Sequence, residues 1–113
     1  MQTIAEMPEY IRRAERLLSE IEHQAIIDYL AALPKAGVIM QGTGGIRKLR
    51  WSRQSAGKSG GVRVIYYFHS EKMPLHLLTI FGKGEKANLN KAERNELAKL
   101  VRLLFQGWSA SRE

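Results

Sequence analysis

The sequence predicts an α+β domain in which helices precede and follow a small antiparallel sheet. Three observations predict it. Two apolar stripes at helical spacing occupy residues 8–33, before Pro34 and Gly37. Runs rich in β-branched and aromatic residues follow between Ile46 and Gly82. A third helical stripe begins after Asn90. With 113 residues and 44% apolar composition, the chain reads as one domain, residues 1–113, with a single modest core.

Residues 2–6 are either a brief strand or a disordered start. Pro8 suits a first helical turn, where its missing N–H removes no bond. Ile11, Ala14, Leu17 and Leu18 then form a stripe, with Arg12, Arg13 and Arg16 on the solvated side. Ser19 followed by Glu22 is a capping box, so a second helix should start at Glu20. Ile21, Ala25, Ile26, Tyr29, Leu30 and Leu33 give its apolar stripe. The two helices form a hairpin.

Val38–Met40 reads as a connection and GTGG as a plain turn. In IRKLRWS, Leu49 and Trp51 share one face and Lys48 and Arg50 the other. RQSAGKSGG reads as a mobile hairpin loop. VRVIYYFH is the clearest strand: Val62, Val64, Tyr66 and Phe68 face one way, Arg63, Ile65, Tyr67 and His69 the other. LHLLTIFGK is apolar on both faces and should be central. Asn90 with Glu93 caps a final helix with Leu97, Leu100, Val101, Leu104, Phe105 and Trp108 in its stripe. That helix should end near Gly107, with 109–113 a disordered tail. Helices covering one face of this sheet would leave the other open and basic.

The charge is concentrated. Between Gly42 and Lys91 there are ten Lys or Arg against two acids, Glu71 and Glu85. This points to a polyanionic partner: nucleic acid, ribosome, anionic membrane or an acidic protein. There is no cysteine, so thiolate sites and disulfides are excluded. No apolar run approaches the ~20 residues of a membrane span. The N-terminus lacks the apolar region of a secretory signal, so a cytoplasmic location is expected.

One Asp, Asp28, and two acids in the basic segment cannot surround a pair of divalent ions. No metal-ligand spacing or P-loop is present, and no cofactor is expected. A metal-free basic site can still cleave RNA, because the ribose 2′-OH is a built-in nucleophile and preorganised cations can stabilise the phosphorane. Arg63 projects from the middle of an apolar strand, and Lys48 and Arg50 lie on its expected neighbour. Lys83, Glu85 and Lys86 close the third strand as KGEK. A surface Arg alone says little; cations converging from three strands say more. Tyr66, Tyr67 and Trp51 could stack on bases, although strand aromatics more often pack internally. His69 and His76 are weaker acid–base candidates.

GTGGIRKLRWSRQSAGKSGGVRVIYYF, then PLHLLTIFGKGEKANL and a helix opening NKAERNEL, resembles the RelE/HigB-type toxins of bacterial type II toxin–antitoxin modules, over about Thr3 to Leu104. The resemblance implies the small RelE fold and an mRNA endonuclease that inhibits translation by cleaving messages on the ribosome through metal-free 2′-OH attack. It places Arg63, Lys83, Lys86, Lys48 and Glu85 in the catalytic set. Its R-K-x-R strand gives Arg47, Lys48 and Arg50 as phosphate and RNA contacts, and the residues themselves add Arg53, Lys58 and Tyr67 to the expected RNA-binding set. The general base stays open among Lys48, Lys86, Glu85 and a Tyr. The implied partners are a cognate antitoxin with a helix-turn-helix domain, the ribosome and mRNA, with no membrane and no small-molecule ligand. Gly82-Lys83-Gly84 departs from the pattern, where Ala-Lys-Asn or similar is common, and loosens that turn. Two other readings stand beside this one: a ParE-like gyrase poison on the same fold, and a non-catalytic RNA- or ribosome-binding module.

Overall fold

The computed structural model describes residues 1–52, 61–86 and 88–112. Its order is β1 (Ile4–Glu6), α1 (Pro8–Leu17), α2 (Glu20–Ala32), β2 (Val38–Ile39), β3 (Ile46–Trp51), β4 (Val62–Tyr67), β5 (Leu75–Gly82) and α3 (Lys91–Ala110). The α+β class holds. The sheet is five-stranded and mixed rather than purely antiparallel, in the order β1-β5-β4-β3-β2. β1 joins β5 in parallel, and the other pairings are antiparallel. β5 was expected to be central; it is an interior strand between β1 and β4, with β4 in the middle of the sheet, and β1 covers the edge that its two apolar faces could not leave open.

Local chemistry sets the helix ends. Pro8 opens α1. Ser19 accepts from the Glu22 N–H while Glu22 accepts from the Ser19 N–H, and Asn90 and Glu93 do the same for α3. Each such cap contributes about 1 kcal/mol. β1 and β2 are too short to carry a period of their own. The N-terminal segment is held because Gln2 Nε2 donates to Met73 O (2.7 Å) and the Gln2 N–H to Ala31 O (2.9 Å).

Helices cover both faces of the sheet, so the expectation of one covered face is corrected. α1 and α2 bury Tyr10, Ala14, Ile26 and Leu30 against Leu49, Val62, Val64, Tyr66, Leu75, Leu77 and Ile80. α3 packs Val101, Leu97, Leu100, Leu104, Phe105 and Trp108 against Ile46, Ile65, Tyr67, Leu78 and Phe81 on the opposite face. An apolar stripe declares that a helix must be covered, not which side of the sheet will cover it. The β4–β5 pairing slips between Ile65 and Tyr66: Ile65 faces Thr79, and Tyr66 faces Leu77. The extra residue, Leu78, lets Leu77 and Ile80 share a face.

Other boundaries also move. The α2 stripe is narrower than its sequence suggests, with Ile21 83% and Leu33 52% exposed. Tyr10 fills the core instead, fully buried. α3 passes Gly107 and runs to Ala110, so residues 109 and 110 are helical rather than tail. The expected 53–60 loop, with Arg53 and Lys58, lies outside the described residues. Among the described residues no helix is long and apolar enough to cross a membrane.

Tyr66 ties the layers together. Its hydroxyl donates to Pro34 O and accepts from the Gly37 N–H, both at 2.8 Å. Gly37 admits no side chain, because a Cβ there would lie 2.8 Å from Tyr66 Cε1 and 3.0 Å from Lys48 O. Tyr66→Phe strands a buried N–H and a carbonyl and is expected to cost about 1–3 kcal/mol. Urea unfolding would measure it, and a loss below ~0.5 kcal/mol would show that Tyr66 does not hold this corner.

Candidate nucleic-acid interface

The β3–β4 register places Arg50 directly opposite Arg63, and Lys48 opposite Ile65. All four residues lie on the α3 face, since Ile65 belongs to the core beneath that helix. α3 covers the Ile46–Tyr67 end of this face. Lys48 and Arg63 remain half-buried, and Arg50 is exposed. Arg94, in the first turns of α3, brings a fourth cation: its charge, with those of Arg50 and Arg63, acts on Lys48.

No carboxylate pairs with Lys48, Arg50, Arg63 or Arg94 among the described ion pairs. Lys48 Nζ donates to the neutral Asn88 Oδ1 at 2.7 Å. The Nε of Arg63 and that of Arg94 are buried and have no hydrogen-bond partner among the described residues. Cations with no carboxylate paired to them among the described residues form an arrangement that an anion's charge would compensate. Burial first, and then the charges of Arg50, Arg63 and Arg94, hold the Lys48 ammonium below the usual lysine range. Its proton is therefore easier to release than that of a surface lysine. The folded state releases this proton at a lower pH than the unfolded chain does, so stability rises with pH between the lowered and the ordinary values.

The 83–86 turn is organised differently. The Lys83 N–H donates to Gly61 O (2.9 Å), which places Lys83 at the Arg63 end of the sheet with its side chain exposed. Glu85 does not face the cations. Its Oε1 accepts from the Gly82 N–H (3.0 Å), and its Oε2 from Arg13 Nη1 of α1 (3.4 Å). Those contacts hold its carboxyl below the ordinary range. Lys86 pairs with Glu93 of α3 and sits 5.2 Å from the Phe81 ring centre. Glu93 is held low by that lysine and by the Asn90 N–H.

Two expected contacts sit elsewhere. Arg47 is on the α1/α2 face, opposite Tyr66, and its Nη1 donates to the carbonyls of Gly37 (2.9 Å) and Lys35 (3.2 Å). Strand alternation separates it from Lys48 and Arg50, whatever the R-K-x-R pattern suggests. Tyr67 is 4% exposed in the core under α3, so protein covers the ring that was expected to stack on a base. Arg53 and Lys58 lie outside the described residues. The sequence reading missed Arg94, Asn88 and Arg13. The Asn90–Glu93 cap places Arg94 early in α3, but only the position of α3 over the basic face makes it a partner of Lys48.

Lys48, Arg50, Arg63 and Arg94 together can neutralise and orient a phosphodiester, with Lys83 at the rim. Among the described residues no group of three or more His, Asp or Glu side chains is placed to hold a metal ion. No family model matches the chain. Directly opposed like charges oppose folding, so Arg50→Gln is expected to stabilise the protein by about 0.5 kcal/mol at low salt. The gain should vanish near 1 M salt. Urea unfolding at both ionic strengths would measure it; a loss of stability at low salt would mean that Arg50 has a compensating partner.

Proposed function

We propose that this chain is the toxin of a type II toxin–antitoxin module of the RelE/HigB kind, acting as a metal-independent mRNA endonuclease on the ribosome. The observation that supports this reading best is the Lys48/Arg50/Arg63/Arg94 cluster, in which no carboxylate is paired to any member among the described residues. In the reaction the 2′-oxygen attacks the adjacent phosphorus and the P–O5′ bond breaks. A 2′,3′-cyclic phosphate and a 5′-hydroxyl result. The 2′-OH passes its proton to water and the departing 5′-oxygen gains one. Arg63 and Arg94 would stabilise the non-bridging oxygens through the positive charge of their guanidinium groups. Lys48, with its ammonium made more acidic by burial and neighbouring cations, is suited to deliver the proton to the 5′-oxygen. Arg50 and Lys83 would neutralise flanking phosphates. The partners would be the ribosome, mRNA and a cognate antitoxin with a helix-turn-helix domain.

One observation favours a second reading, a non-catalytic RNA-binding module. Two groups that the resemblance places in catalysis are engaged elsewhere, Glu85 with Arg13 and Lys86 with Glu93. Mapping 5′ ends on a reporter message after brief induction separates the two. The endonuclease reading predicts new 5′ ends within translated codons. It predicts at least a hundredfold fewer with Arg63→Ala, as expected for removal of a preorganised cation (~10²–10³). Growth arrest without new ends would remove that reading and favour a gyrase poison.

A further inference from the structure

A second cleft lies on the same face of the sheet, at the other end of α3. It encloses about 390 Å³ between the 42–44 loop and the C-terminal half of the helix. That volume falls in the range of small-ligand sites, about 300–1,000 Å³. Tyr67 and Val101 line it with His69, Phe105 and Arg102, and no Asp or Glu is among the lining residues. The loop is open on this side. Gly42 and Gly44 have φ of 73° and 80°, with nothing within 4 Å of where a Cβ would stand. The backbone can therefore approach a planar ligand without side-chain obstruction.

The walls are aromatic. The His69 ring lies 4.7 Å from Phe105, 5.7 Å from Trp108 and 6.5 Å from Tyr67. Arg112 caps the Trp108 ring at 4.8 Å. His69 is exposed, and its ring nitrogens have no hydrogen-bond partner among the described residues. Arg102 is exposed and unpaired among the described ion pairs. Aromatic faces, a ring with free nitrogens and one cation are what an unstacked nucleotide needs. From Arg94 in the cation cluster to Phe105 here, α3 rises about 16 Å, a distance that a few nucleotides of one strand can span.

We infer that this cleft is a second contact for single-stranded RNA, taking one splayed base beside His69 and Phe105 and its phosphate on Arg102. The inference rests on the RNA reading of the Lys48/Arg63 cluster and extends it along α3. It makes the protein a two-point reader of a strand. The cluster holds the phosphate that reacts, and the aromatic cleft fixes which nucleotide lies a few positions away.

The test uses the full chain with 2′-O-methyl oligoribonucleotides, which bind without being cleaved, and reads fluorescence anisotropy. His69→Ala and Arg102→Gln should each weaken hexanucleotide binding by about tenfold, the effect of losing one base stack or phosphate contact. Both should leave dinucleotide binding at the wild-type level, which also shows that the variants are folded. Arg63→Ala should weaken both ligands. If His69→Ala and Arg102→Gln bind the hexanucleotide as wild type does while Arg63→Ala does not, the cleft takes no base and this inference falls alone. If the wild-type chain binds neither ligand, the RNA reading falls and the cleft's role with it.

Discussion

The register between β3 and β4 is the constraint on which the rest of the molecule depends. It sets Leu49 opposite Val64 and Trp51 opposite Val62 on the α1/α2 side, and Lys48 opposite Ile65 and Arg50 opposite Arg63 on the α3 side. A slip of one residue would drive Lys48 and Arg50 into the core beneath the helical hairpin and turn Leu49 and Trp51 away from it. The core therefore enforces the pairing of like charges. Burial of Val62, Val64 and Tyr66 across β4 holds Arg50 and Arg63 together against a repulsion that neither would tolerate if free to move. The proposed anion site needs its cations convergent before a ligand arrives, and the hydrophobic register holds Arg50 and Arg63 side by side.

The remaining charges are arranged so that they do not quench the cluster. The carboxylates nearest the 83–86 turn are both engaged: Glu85 by the Gly82 N–H and Arg13, Glu93 by Lys86 and the Asn90 N–H. α1 and α3 thus clamp the turn from two layers. Lys48 meets a neutral amide, Asn88, where a carboxylate would have cancelled it. The field on the open part of the α3 face stays positive, in a half-buried setting that solvent screens less than it would a flat surface.

Much of this was legible in the chain. The alternation in VRVIYYFH assigned every β4 side chain to the face where it lies, because period-two patterning follows directly from strand geometry. Ser19/Glu22 and Asn90/Glu93 marked helix starts, because a cap is a local hydrogen-bonding arrangement. Less legible was whatever depends on distant partners. β1 and β2 acquire strand character only from β5 and β3, against which they pair. The side of the sheet taken by α3 depends on which core remains uncovered, and with it goes the membership of Arg94 in the cluster. Arg47 shows the opposite lesson. Its strand parity already placed it away from Lys48, while a motif read as a block grouped the two. Tyr67 is similar: a strand aromatic on the basic face looked available for stacking, yet α3 and the 42–45 loop cover it.

The central claim is that Lys48, Arg63 and Arg94 act as one anion site while cations on the other layer do not. The most direct measurement is the salt dependence of binding to 2′-O-methyl single-stranded RNA. In a plot of log affinity against log salt, the slope should become shallower by about 0.7 for each of Lys48→Gln, Arg63→Gln and Arg94→Gln, the value for one phosphate contact to a single strand. Arg12→Gln, an equal loss of charge on α1, should leave the slope unchanged. Equal changes in all four variants would mean that the RNA responds only to net charge, and the account of a convergent site would be wrong.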